Sequence, residues 1–226
     1  MKKLVNTIGI YFMLALSIVV FSSCTKSVND SNANNNGDIN KEILQAQITA
    51  LPKEDLNADE LASLSFIREE EKLARDVYTT LYNKWGANPF TNIAKSEQTH
   101  MDAVLILLNK YAIPDPVGSN AVGVFNNVTL QNLYNQLVAT GNISLLNAFK
   151  VGATIEDLDI FDLNKALLKI DNQDIKLVYG NLNKGSRNHM RSFYKNILNS
   201  GGSYTPQFIS QSDFDAIINS DMERGN

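Results

Sequence analysis

Cysteine is almost absent from this chain. Cys24 is the only one among 226 residues, so there is no Cys-x-x-Cys pair and no internal disulfide framework. Histidine is nearly as scarce, with only His100 and His189. No excess of positive charge exists either. The formal net charge is −4, and removing Lys2 and Lys3 with the acid-free first 23 residues takes it to −6. That balance gives no reason to expect nucleic acid binding. No internal repeat is evident, and no apolar–polar alternation of the β type is sustained anywhere.

What is present begins with an address. Lys2 and Lys3 precede an apolar run from Leu4 to Phe21, followed by Ser22-Ser23-Cys24. The pattern reads as a secretory signal peptide over 1–23 with a lipoprotein-type cleavage site, Cys24 being the lipidation site and the contact with a membrane. An ordinary signal or a short membrane anchor is the alternative reading. The resulting expectation is a bacterial cell-envelope location, lipid-anchored, periplasmic or outer-membrane-associated. Residues 24–50 then form a flexible tether, asparagine-rich over 25–40, and the folded part is expected to start near Leu51.

From there the periodicity is helical. The sequence predicts helices over about 58–85, 89–113, 143–169 and 172–199, with a short one at 129–139 inside a long connection. Asn57 and Glu60 form a capping box for the first long helix, and Asp171 is the expected cap of the fourth. A short helix near 210–220, expected to pack on the outside, closes the chain within a C-terminal extension, 201–226. The fold class is therefore all-α: a four-helix bundle over 51–200 with one long crossover connection, the connectivity of ferritin-like bundles.

Polar residues interrupt the apolar stripes. On a wheel of about 100° per residue, Glu97 and His100 fall among Ile93, Met101, Val104 and Leu107. Glu156 falls among Phe149, Ala153, Ile160 and Leu163, with Asp159 one turn on and off-centre. His189 lies between Val178, Leu182, Gly185 and Phe193, beside the small Ser186. On the first helix the wheel slightly favours Glu70 over Glu71, and both stay open. Carboxylates left unpaired in an apolar interior would each cost several kcal/mol. Two divalent cations would balance one glutamate of the first helix with Glu97, Glu156 and Asp159. Two imidazoles complete a nitrogen–oxygen donor set that suits iron or manganese. A rival account is a metal-free scaffold or binding module in which Arg75 and Arg187 neutralise these acids.

At these residues the chain resembles the ferritin-like superfamily. Glu71-Lys-Leu-Ala-Arg-Asp-Val-Tyr78 is similar to the first metal-binding helix of rubrerythrins, and Glu97-Gln-Thr-His100 to the Glu-x-x-His of their second. Over about 58–200, the segments REEEKLARDVYTTLYNKWG with FTNIAKSEQTHMDAV, GATIEDLDIFDL, and VYGNLNKGSRNHMRSF resemble the family called domain of unknown function 2202. The rubrerythrin likeness favours Glu71 as ligand. The fourth helix of such bundles usually carries a second Glu-x-x-His, but the position three before His189 is Ser186, leaving Asp159 to supply that carboxylate. The family likeness implies a ferritin-like bundle and no established reaction; together with the donor set it leads to the expectation of a di-iron or mixed iron–manganese centre with redox chemistry toward Fe²⁺, O₂ or peroxide. It leaves open whether the protein is an oxidase or peroxidase. Glu97 or Glu156 would bridge the ions, His100 and His189 would each hold one, and Tyr78 would stand behind them as hydrogen-bond or electron donor. Metal ions, the membrane and a second copy in a homodimer are the expected partners. A 24-subunit storage cage is disfavoured by the tether and the extra C-terminal helix.

Overall fold

The computed structural model describes residues 39–224; the expected signal peptide, Cys24 and most of the asparagine-rich stretch lie outside the described residues. Seven helices and no strands occur among those described. They are α1 Lys41–Ala50, α2 Ala58–Trp85, α3 Asn88–Tyr111, α4 Val128–Gly141, α5 Leu145–Leu167, α6 Gln173–Asn199 and α7 Gln211–Ile218. None of these helices is long and apolar enough to cross a membrane.

Local chemistry sets the boundaries. Asn57 accepts from the Glu60 N–H while the Glu60 carboxylate takes the Asn57 N–H, the capping box the sequence predicts. The second Glu60 oxygen receives the N–H groups of Asp171 and Asn172. That buried carboxylate therefore sits at the start of α6, and Asn172, not the expected Asp171, is the cap residue. Gly86, left-handed at φ 65°, ends α2, and the chain turns straight into α3.

The long helices form a helical bundle. α2 lies along α3 and α5 along α6, with α2 against α5 and α3 against α6 closing the ring. Two apolar layers show how the chain runs. One holds Leu64, Ile67, Val104, Leu107, Leu163, Val178 and Leu182. The other holds Val77, Leu81, Phe90, Ile93, Phe149, Met190 and Phe193. α2 and α6 run from the first layer to the second, and α3 and α5 run the other way. The connection 112–144 must therefore traverse the length of the bundle, and α4 lies along α2 and α5 as part of it. On all four long helices buried polar or small residues lie between the two layers: Glu70 and Glu71, Glu97 and His100, Glu156 and Asp159, Gly185 and His189.

Two expectations need correction. The folded region begins before Leu51: Asn40 caps α1, whose Leu44 and Ile48 are buried against α3 and α6, so the tether assigned to 24–50 does not reach Ala50. The C-terminal helix is also more than an outer attachment. α7 buries Phe214 in the same layer as Phe193. Asp157 is fully buried and holds this extension. Its carboxylate accepts from the Tyr204 hydroxyl at 2.8 Å and from the N–H groups of Gln207, Phe208 and Ile209. Asp157→Ala leaves three backbone donors without their acceptor. The expected loss is about 3 kcal/mol or more, read as faster amide exchange confined to 204–218. Unchanged exchange there would refute the staple.

Candidate metal centre

Glu97 stands at the middle of the polar layer. One of its oxygens lies 2.8 Å from His100 Nδ1 and the other 2.8 Å from His189 Nδ1. Glu71 Oε2 is 3.0 Å from the same His100 nitrogen, and Glu156 Oε2 is 3.4 Å from His189 Nδ1. Two triads result, Glu71–Glu97–His100 and Glu97–Glu156–His189. In each, one donor atom per residue lies within 4.8 Å of the other two. All five residues are buried, and the two imidazoles stack with centroids 5.5 Å apart.

Neighbouring groups orient the donors. Tyr78, wholly buried, donates to Glu156 Oε1 at 2.5 Å. Burial, and then Glu156, push its phenol far above the ordinary range, so the hydroxyl keeps its proton and acts as donor. His189 Nε2 is 3.0 Å from Ser96 Oγ, which aims Nδ1 inward. The sequence gives no signal for Ser96, whose neighbour Glu97 carries the helical pattern. His100 Nε2 lies against Gly185, where any Cβ would come within 2.6 Å of it. Ser186 does not join the layer: its hydroxyl bonds back to the Leu182 carbonyl of its own helix. Glu70 is buried but belongs to neither triad, and its main charged neighbour is Asp162 of α5. Asp159 is buried, belongs to neither triad, and has no hydrogen bond on either oxygen.

Seven buried polar atoms of the layer lack a hydrogen-bond partner: Glu70 Oε1, Glu97 Oε1, His100 Nε2, Glu156 Oε2, both Asp159 oxygens and His189 Nδ1. Buried polar groups are normally satisfied. Glu97 Oε1 and His189 Nδ1 are close, yet not aligned for a hydrogen bond. In the second triad Glu97 Oε1, Glu156 Oε2 and His189 Nδ1 crowd a common point without bonding one another, as ligands of an ion between them would, while in the first Glu71 Oε2 and His100 Nδ1 share a hydrogen bond. Electrostatics agrees. Five carboxyls, Glu70, Glu71, Glu97, Glu156 and Asp159, face two imidazoles, so even with both imidazoles protonated full ionisation would leave −3. No arginine relieves this. Arg75 is bound to Asp76 and Gln98, and Arg187 to Glu223 and Asn183. Burial instead drives the acids to hold protons. Glu71 is pushed up to about 8, and Glu70, Asp159 and Glu156 also rise. Burial opposes charge on the imidazoles as well. Glu97 with Glu71 overcomes this at His100, which is raised. Glu97 with Glu156 does so at His189, which moves up to about 10. The residues fit a pair of cations bound by nitrogen and oxygen.

Comparison with known proteins follows the same residues. The family described as "Uncharacterized protein domain (DUF2202)" matches residues 60–221. The chain is 58% identical over 178 residues to the uncharacterized protein MJ0754 of Methanocaldococcus jannaschii, covering 79% of this chain and 96% of the relative. The crystal structure of that hypothetical protein superposes with a TM-score of 0.76 at 57% identity, covering 77% of this chain and 99% of the other. This relative corrects the expected location in a bacterial cell envelope, periplasmic or at an outer membrane. Methanocaldococcus jannaschii is an archaeon and has neither compartment in the bacterial form. With the family matched across all four long helices, the chain belongs to the DUF2202 domain family.

Proposed function

We propose that this protein is a ferritin-like four-helix bundle holding a dinuclear non-haem centre of iron, or of iron and manganese. Its chemistry is then redox, the oxidation of Fe²⁺ or the reduction of O₂ or peroxide. One observation carries the reading: the two triads share Glu97, with one oxygen directed to each imidazole. Glu71, Glu97 and His100 would hold one ion, and Glu97, Glu156 and His189 the other. The long connection 112–144 and the reversed sense of neighbouring helices support the ferritin-like topology.

A pair of such ions would supply one-electron steps that the side chains alone do not. The chain's own part is to hold and insulate the site. Tyr78 fixes the orientation of Glu156, Ser96 that of His189, and the apolar layers above and below keep water out. The metal-free scaffold reading needs a satisfied polar core neutralised by Arg75 and Arg187. Both arginines are engaged elsewhere, and seven core atoms are unsatisfied.

Anaerobic Fe²⁺ titration tests the reading. The expected result is two equivalents bound by the wild type, with binding lost from a Glu97→Ala/His100→Ala variant that still melts cooperatively. A wild type without stoichiometric binding, or a variant that binds equally well, sinks the proposal.

A further inference from the structure

The two triads leave buried acids unused. Glu156, Asp159 and Asp162 are spaced three apart on α5. Each step of three turns the helix by about −60°, so this series winds from the interior toward the surface. Exposure follows the winding: Glu156 is fully buried, Asp159 is 2% exposed and Asp162 is half-buried. Asp162 opens onto a cleft of about 570 Å³ between α2 and α5, lined also by Ser63, Phe66, Glu69 and Lys165. Glu70 of α2, buried beneath that cleft, is a charged neighbour of both Asp162 and Asp159. Glu70 Oε1 and both Asp159 oxygens are buried and find no donor in the protein. Acids with a structural role look different here. Glu60, Glu69, Asp76 and Asp157 are just as buried and each is hydrogen-bonded.

A second cleft, between α3 and α6 at His189, offers a different lining of Asn92, Lys95, Ser96, Thr99, Asn188 and Ser192, with no carboxylate. Hard divalent cations prefer oxygen ligands, carboxylates foremost, so the two mouths differ in what they attract.

We infer that Glu70, Asp159 and Asp162 form an oxygen-only route by which divalent cations pass from the α2/α5 cleft to the buried centre, with the Glu70–Asp162 pair as its first binding site. The inference takes its destination from the dinuclear reading above. It accounts for the glutamate run on α2 by giving its members separate work: Glu69 bonds the N–H groups of Asn126 and Asn127 at the start of α4, Glu70 passes the ion, and Glu71 keeps it.

Uptake kinetics separate the route from the centre. Co²⁺ mixed with the metal-free chain in a stopped-flow instrument gives d–d absorption as it reaches the nitrogen–oxygen site. Asp162→Asn and Asp162→Ser are expected to slow that signal at least tenfold while leaving two equivalents bound at equilibrium. Lys95→Glu, in the other cleft, is expected to stay within twofold of wild type. Loading at the wild-type rate in both Asp162 variants overturns the route, as does a fall in their equilibrium stoichiometry, which would make these acids ligands of the centre. A wild type that binds no Co²⁺ overturns the centre itself and is distinguishable from either result.

Discussion

Chelating the metal should lower the melting temperature of this protein by on the order of 10 °C per ion, and the gap should widen as pH rises. A ligand that binds only the folded chain adds about 4 kcal/mol at a thousand times its Kd, and about 2–4 °C accompanies each kcal/mol in a domain of this size. The pH dependence follows from the groups at the centre. In the metal-free chain burial holds the Glu71 proton up to about 8, against 4.5 when exposed. Between those values the unfolded chain has lost a proton that the folded chain keeps, so stability falls as pH rises. His189, where Glu97 and Glu156 overcome burial, moves from 6.5 up to about 10. Its contribution is complete below 6.5 and lost as pH climbs toward 10, which is the same sign. Each group contributes a slope of about 1.4 kcal/mol per pH unit within its window. Glu97, whose burial is outweighed by His189 and then His100, is held low and matters only in acid, below about 4.5.

The loaded protein should behave in the opposite sense. Ligands bind as carboxylates and neutral imidazoles, so protons compete with the ion, and stability rises over the range in which the metal-free chain weakens. Melting curves from pH 5 to 9, with and without chelator, should therefore diverge. Parallel curves would mean that protons and cations do not contend for Glu71 and His189, and the centre would lose its main support.

The parts of this arrangement that were legible in the sequence are those that helical periodicity encodes. Glu97 and His100, three apart, share a face whatever the tertiary packing, and Glu156 and His189 lie near the middle of their stripes. The choice between Glu70 and Glu71 was not legible from periodicity, because adjacent residues straddle one stripe and both end up buried. What separates them is the neighbour each meets, His100 of α3 or Asp162 of α5, which depends on the assembled bundle. Asp157 was opaque for a related reason. Its partners are backbone donors some fifty positions downstream, and no local pattern announces them. α1 escaped because it buries little: Leu44 and Ile48 are its only buried residues in ten. The long connection and its short helix were legible, but not what holds the loop to α2: Arg68–Asp115, Lys72 on the Ala121 carbonyl, and Asp76 on the Gly123 N–H.

Gly185→Ala should cost the protein one of its two ions. The added methyl would fall 2.6 Å from His100 Nε2 and 2.7 Å from its Cε1, closer than packed atoms approach. His100 has no exposed surface through which to retreat, and its other nitrogen faces Glu71 and Glu97. The imidazole must therefore rotate or withdraw, which takes Nδ1 away from the first triad. Glu97, Glu156 and His189 do not meet this methyl and should still hold an ion. Overpacking of this kind costs about 1–3 kcal/mol, partly offset by the helical preference of alanine over glycine, about 1 kcal/mol. The metal-free variant should thus remain folded. Gly180→Ala on the same helix is the control, since nothing lies within 4 Å of its Cβ and the site is exposed. That variant should be slightly more stable than wild type and bind both ions. Elemental analysis after desalting, with the bound metal read against protein concentration, should give two equivalents for wild type and Gly180→Ala and one for Gly185→Ala. Two equivalents in Gly185→Ala would show that His100 is not a ligand, and the centre would have to be rebuilt around His189 alone.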